Sequence, residues 1–360
     1  MAAERPFRAL SPALARALAA LLLAVLAWSA VAVPIFADEI KAAPAKSAQA
    51  SGEEVGDFEL YSRIHARVAN GEPYYGAALL EQRANAFPTR PFVTVRLPTL
   101  AYAHKAIGAR GVQLAGIALL IGCVIAALAL LKSATLPEKV GAALLVLLGG
   151  AGVFAEQAAF IHELLAGLLL SLALLVYRPT RWWPSLLLAA LALLLRELAL
   201  PFVLLWLAFA IGQRRWGEAG ALVAVIALFA AYMALHYFNV SIRLGVEDRP
   251  SPGWNALNGP ALPLLSLSLL PPYSLVPLAL GAPLGVLSLF GWAGRGGRIA
   301  AFAALWFAGF ALAISLFARA ENFYWIMLIL PAFAAGLALA PRALVDLVAA
   351  ARGKALERQT

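Results

Sequence analysis

The 360 residues predict an all-α, polytopic membrane protein of about ten transmembrane helices, and three observations carry that expectation. Hydrophobic residues make up 63% of the chain and charged ones 13%, with a mean hydropathy of +0.83, more apolar surface than a water-soluble fold buries. Apolar runs of about 20 residues, enough to cross a hydrocarbon core of roughly 30 Å, recur along the sequence. Basic residues fall in short clusters between these runs, the pattern of cytoplasmic loops. The net charge of +9 therefore has a topological explanation, and nucleic acid is excluded as a partner. Cys123 stands alone inside an apolar run, so no intramolecular disulfide is possible.

The first run, 14–36, follows a basic start but is longer than a signal-peptide core, which predicts an uncleaved anchor. Residues 37–110 then form a long first outer loop. Within it "KAAPAKSAQASGEE", 41–54, has the composition of a flexible spacer. In "GDFELYSRIHARVANGEPYYG", 56–76, Leu60, Tyr61, Ile64 and Val68 recur at helical spacing while Glu59, Arg63 and Arg67 face the other way, and Asn70-Gly71 is a stop signal. This predicts an amphipathic helix lying along the outer membrane surface. A second surface element begins at Pro98, in "RLPTLAYAHKAIG", before the run 111–131.

Two stretches, 139–176 and 182–212, exceed one crossing. The first is interrupted by Glu156, Gln157, His162 and Glu163, the second by Arg196, Glu197 and Pro201. A charge at the bilayer centre costs at least ~3 kcal/mol on insertion scales, so both interruptions are expected as hairpin tips at the membrane surface. Runs at 217–238, 273–292, 298–318 and 323–340 complete the ten, and 341–360 follows as a cytoplasmic tail of a single transmembrane domain. With both termini cytoplasmic, the inner segments hold 15 of the 28 Lys and Arg residues. Treating 182–212 as one helix would move "QRRW" and "GRGGR" outside, against the distribution of positive charge.

That topology gathers the chemistry on one face. Of the 19 acidic residues, 14 fall outside, and Asp38, Glu39, Asp57, Arg96, Glu156, His162, Glu163, Arg196, Glu197 and Arg319 all lie there. A transporter is expected to carry polar groups or broken helices near the midplane instead. Surface helices above charged helix ends would form a cavity at the lipid boundary, suited to a substrate that is half lipid.

"DFELYSRIHARVANGEPYY" followed by "RPFVTVRLPTLAY" resembles the first outer loop of the GT-C superfamily of glycosyltransferases, such as the lipid A aminoarabinose transferases and the protein and polyprenyl-phosphate-mannose-dependent mannosyltransferases. The matching positions are Asp57, Tyr61, Gly71, Arg96, Pro98 and Tyr102, with Asp38 and Glu39 of "FADEI" as the alternative acids at the end of the first helix. The resemblance implies a glycosyltransferase of the bacterial inner membrane, working on the periplasmic side. Its donor would be a polyprenyl-phosphate-linked sugar and its acceptor a hydroxyl of a glycan, lipid or protein. Asp57 or Asp38 would take the acceptor proton, and Arg96, Arg196 and Arg319 would hold the lipid phosphate. Tyr61, Glu156, His162, Glu163, Glu197 and Tyr324 are further candidates for substrate binding.

Each candidate also has a plainer explanation. Asp57 could be a helix N-cap, Asp38 a polar stop, and Arg96 an anchor snorkelling to headgroups. Arg196 and Glu197 could simply cap a hairpin, and as neighbours on a helix they would not face each other. Glu156, His162 and Glu163 have the donor atoms of a divalent-metal site but match no metal-binding spacing. Arg319 precedes Phe323, Tyr324 and Trp325, which could be an interfacial aromatic belt. The alternative functional class is a non-enzymatic flippase of lipid-linked glycans or a transporter, and a third is a structural subunit of an envelope assembly.

Overall fold

The structure, a computed structural model, describes residues 5–42 and 56–353. The expected spacer lies outside the described residues except for its first two positions, which end the first helix.

Helices are the only regular elements among the described residues. They are α1 (Pro12–Ala42), α2 (Asp57–Ala69), α3 (Tyr74–Ala84), α4 (Thr99–Leu130), α5 (Leu136–Gly149), α6 (His162–Val176), α7 (Trp183–Leu195), α8 (Leu200–Gly212), α9 (Trp216–Ser241), α10 (Ala261–Ser268), α11 (Leu278–Arg295), α12 (Gly297–Phe317) and α13 (Leu330–Ala351), with short 3₁₀ turns between them. Six are long and apolar enough to cross a membrane: α1, α4, α9, α11, α12 and α13. Three shorter apolar segments cover α6, α7 and α8. Leu21 on α1, Leu114 on α4, Leu228 on α9 and Leu305 on α12 are each more than half exposed. Water would penalise such rows of bare leucines; lipid tails would not. The chain is a multi-pass membrane protein.

At the centre stands α6, whose residues from His162 to Ser171 are all buried. It is enclosed by α4, α7, α13 and the 3₁₀ segment Ala320–Leu328. A helix apolar on every side belongs in the middle of a bundle, and Leu, Ala and Gly account for most of its length. Gly167 has a particular job: a Cβ there would collide with the Met327 carbonyl, so a larger residue would push the 3₁₀ segment away from the helix.

Of the residues expected to interrupt these stretches, Glu156 and Gln157 lie in the turn Glu156–Phe160 and Glu197 in the turn Glu197–Ala199, whereas His162 and Glu163 open α6 and Pro201 sits in the first turn of α8. A helix does begin just after Pro98, as expected. Thr99–Ile107 and the rest of α4 are separate pieces joined at Gly108, whose φ of +70° is open to glycine and strained for other residues.

Several expectations need correction. α1 continues to Ala42, so Asp38 and Glu39 lie on its last turns rather than in the loop. α2 forms over the expected residues, but its apolar face does not rest on lipid. Leu60, Ile64 and Val68 pack against Tyr74, Ala77, Ala78 and Leu79 of a third outer helix, α3, which hydrophobic periodicity did not announce. Each such fully buried Leu or Ile contributes about 1.5–3 kcal/mol, enough to hold the layer to the protein. The helix expected from 273 begins at Leu278, because Pro271, Pro272 and Pro277 break its start. The helix expected over 323–340 is displaced: Ala320–Leu328 is 3₁₀, and α13 runs from Leu330 through Pro341 to Ala351. That extension into the expected tail is held by Ala343 and Leu347 packed on α1 and by the pairs Arg342–Glu138 (3.0 Å) and Arg5–Asp346 (3.2 Å).

The loop after α9 is tied to the outer layer through Asp248. Its carboxylate accepts hydrogen bonds from Arg83 (both contacts 2.8 Å) and from the Thr89 hydroxyl (2.8 Å). Backbone bonds Thr89 N to Arg249 O (3.0 Å) and Ser251 N to Arg90 O (2.6 Å) close the join. The hydrogen bonds from Arg83 hold the Asp248 carboxyl well below the ordinary carboxylate range, against the opposing effect of burial. A depressed folded pKa stabilises the joined loops above the unfolded pKa, and the stabilisation fades as pH falls below about 3.9. Asp248→Asn should therefore cost about 2–3 kcal/mol at pH 7 and render both loops more sensitive to limited proteolysis. The gap between wild type and variant should narrow as pH is lowered through about 4. Equal proteolysis rates at pH 7 would contradict the assignment.

Candidate functional site

At the end of the bundle where α6 begins, five separate stretches of chain converge. α2 supplies Asp57 and Tyr61, the loop before α4 supplies Arg96, the start of α6 supplies His162 and Glu163, the α7–α8 turn supplies Arg196 and Glu197, and the 3₁₀ segment before α13 supplies Tyr324 and Trp325.

Arg96 is the hub. Its Nε donates to the Tyr61 hydroxyl (3.0 Å), a terminal nitrogen donates to the Tyr324 hydroxyl (3.3 Å), and the guanidinium lies 3.5 Å from the Glu163 carboxylate. The Tyr74 hydroxyl in turn donates to the Arg96 carbonyl (2.6 Å), which fixes the backbone beneath it. The Tyr324 hydroxyl donates onward to Asp57 Oδ2 (3.2 Å). Burial pushes the Tyr324 phenol up to about 12 and the Tyr61 phenol higher still, so both keep their protons near neutrality and remain donors.

Arg196 is 1% exposed, and its Nε lies 2.7 Å from the same Glu163 carboxylate, close enough to pair the charges although no aligned hydrogen bond forms between those two atoms. Its other face bonds the Glu197 carboxylate, and its guanidinium stands 5.8 Å from the Trp325 ring centroid. Glu163 thus bridges two arginines. Removing so much charge from water is tolerable only because each group meets an opposite one.

The sequence expected Arg196 and Glu197 not to face each other. They do, because Arg196 is extended (φ −151°, ψ 117°) and the chain has already left the helix. Likewise His162 and Glu163 were expected at a solvated hairpin tip, yet they are 2% and 4% exposed and sit beneath α2. Asp57 does not act as an N-cap: Gly56 holds that position, and Asp57 begins the first turn.

Not every candidate joins this cluster. Asp38 and Glu39 are exposed near the end of α1, with Asp38 3.7 Å from Lys41. Glu156 is exposed on its turn. Arg319 pairs with Glu321 at 3.3 Å, and its backbone N–H donates to the Asn322 side chain (3.2 Å), fixing the turn that carries Tyr324.

Sequence reasoning singled out His162 but missed the two histidines that join it, His65 and His104. His65 of α2, His104 of the Thr99–Ile107 piece and His162 surround Phe160, with His65 and His104 ring centroids 4.5 Å apart and His65 and His162 6.2 Å apart. Burial first, and then the other two rings, lower the pKa of His65 to about 2, so it is neutral. No spacing signal could have joined residues so far apart in the chain. Among the described residues, no three His, Cys, Asp or Glu side chains group as metal ligands would.

Two buried polar atoms beside the arginines, His162 Nδ1 and Trp325 Nε1, make no hydrogen bond within the protein. Comparison with known families, with curated proteins and with solved structures finds no match.

Glu163→Ala should leave Arg196 and Arg96 without their shared counter-charge and destabilise the protein by about 3–5 kcal/mol, read as a lowered thermal midpoint of the full chain in detergent. Pairing it with Arg196→Met should recover part of the loss. An unchanged midpoint in Glu163→Ala would show that the bridge does not hold these segments together.

Proposed function

We propose that this chain is a glycosyltransferase that moves a sugar from a polyprenyl-phosphate donor to an acceptor hydroxyl, at the membrane face where α6 begins. One observation carries the proposal: Asp57, the acid of the family-like outer-loop motif, meets Arg96 of the same motif through Tyr324, beside a second arginine and two aromatic rings. A carboxylate beside guanidinium groups at the lipid boundary is what such a transfer needs. The acceptor oxygen attacks the anomeric carbon, the bond from that carbon to the phosphate oxygen breaks, and Asp57 receives the acceptor proton. Polyprenyl phosphate leaves as an anion and needs no acid.

Within this reading the arginines divide the work. Arg196, fully buried between Glu163 and Glu197, orients the carboxylates around it. Arg96, at 12% side-chain exposure, is the one in the cluster that can reach a phosphate, while Arg319 stays with Glu321 and fixes the turn that carries Tyr324. His162 Nδ1 and Trp325 Nε1 are additional polar contacts for the sugar or phosphate oxygens. Ten crossings, with both termini cytoplasmic and this face periplasmic, complete the proposal; α5, α6, α7 and α8 would be the short crossings.

The flippase or transporter alternative is less well supported. Transport needs a polar route along the bundle, whereas the buried side chains of α6 beyond Glu163 are Leu, Ala and Gly with the single hydroxyl of Ser171.

Transfer of labelled sugar from polyprenyl phosphate, assayed in membranes, tests the assignment. Asp57→Asn should lower the rate by about 10²-fold or more at normal expression, while Asp38→Asn should retain it. Full activity of Asp57→Asn would remove Asp57 from the mechanism, and loss only in Asp38→Asn would move the base to the end of α1.

A further inference from the structure

The opposite end of α6 carries a second built feature. From Glu163 to Arg178 the chain advances 15 residues, about 22 Å at helical rise, so Arg178 lies at the other end of α6 from the cluster described above. There a cavity of about 430 Å³ opens between α4 and α6. Its long wall is apolar, formed by Gly122, Ile125 and Ala129 of α4 and by Leu172 and Val176 of α6, and its mouth is formed by Arg178 and Arg181. Gly122 lets α4 approach α6 closely at the base of the groove, since a Cβ there would stand 3.3 Å from Leu172.

Both guanidiniums are held in place without a carboxylate. Arg178 donates to the carbonyls of Tyr177 (2.8 Å) and Leu175 (3.3 Å), and Arg181 stacks 5.4 Å from the Trp183 ring centroid. Their backbones meet in one turn, Arg181 N to Arg178 O at 3.0 Å. The carboxylates at this end among the described residues are already engaged: Glu218 by Arg215 (2.7 Å), Glu138 by Arg342 and Asp346 by Arg5. Arg295, which donates to the Leu130 carbonyl (3.3 Å), adds further positive charge close enough to interact with Arg178. An ordinary basic loop would leave its arginines free in water. Here they are fixed at the mouth of a groove that runs into the hydrocarbon, with unneutralised charge.

We propose that this groove binds one anionic phospholipid of the leaflet opposite the candidate active site. An acyl chain would lie along Gly122, Ile125 and Leu172, and the phosphate would meet Arg178 and Arg181. Charge complementarity selects an anionic headgroup, and the apolar wall selects a lipid over free phosphate; pre-set arginines lower the ordering cost of binding. The site is independent of the proposed glycosyl transfer.

Native mass spectrometry of the full chain in detergent, titrated with phosphatidylglycerol or phosphatidylcholine, tests it. One phosphatidylglycerol should be retained at least tenfold more tightly than phosphatidylcholine, and excess inorganic phosphate should not displace it. Arg178→Gln with Arg181→Gln should abolish that preference, while Ala129→Leu, which fills the groove from an exposed lining position and keeps the charge, should weaken retention of phosphatidylglycerol. Arg214→Gln with Arg298→Gln removes equal charge elsewhere and should leave the preference intact. Equal retention of both lipids by the wild type, displacement by phosphate, or the same loss in the Arg214/Arg298 control would overturn the proposal.

Discussion

Everything at the candidate site depends on one carboxylate placed between two guanidiniums. Glu163 sits at the first turn of the most buried helix in the bundle, and both Arg96 and Arg196 reach it from other segments. An isolated charge there would cost several kcal/mol, so none of the three can be where it is without the others. The pairing thereby dictates how the outer loop and the α7–α8 turn dock onto the start of α6. Tyr61, Tyr324 and Trp325 then have an arginine to lie against, and Asp57 is brought in through Tyr324.

The outer layer is shaped by a similar economy. α2 and α3 bury their apolar faces on each other and on the top of α4, and the Asp248 junction ties in the loop after α9. This layer is a packed lid of protein over one end of an apolar bundle. Below it the three neutral-leaning histidines around Phe160 fill space that charged groups could not. At the far end the arrangement differs in kind for Arg178 and Arg181, which are held by carbonyls and an aromatic ring rather than by a carboxylate.

How much was legible in the sequence varies by element. The long apolar helices were plain, because lipid imposes a length and a composition that no other environment asks for. The turns at Glu156 and at Arg196-Glu197 were legible because charges interrupt the apolar runs there, although His162 and Glu163 open α6 rather than extend the first turn. Most of the site residues were also singled out, Asp57, Tyr61, Arg96, Glu163, Arg196 and Tyr324 among them, because charge in so apolar a chain is conspicuous. Their burial was not legible. His162 and Glu163 were expected in contact with water, and only the packing of α2 over them shows otherwise. α3 carries too weak an apolar periodicity to be seen, and the last helix starts at Leu330 with Pro331 in its first turn, a position that suits proline.

By itself, then, the order of residues determined that the chain is a multi-pass, all-α membrane protein and that ionisable groups collect between its apolar stretches. Hydropathy is a local property and needs no partner to be evaluated. Tertiary structure decided which of those groups meet. Whether Asp57 or Asp38 lies beside an arginine, or whether Arg196 bonds its own neighbour, depends on the backbone's path between distant segments. A pairing energy between residues far apart in the chain leaves no periodicity behind it, so it becomes visible only once the helices are packed.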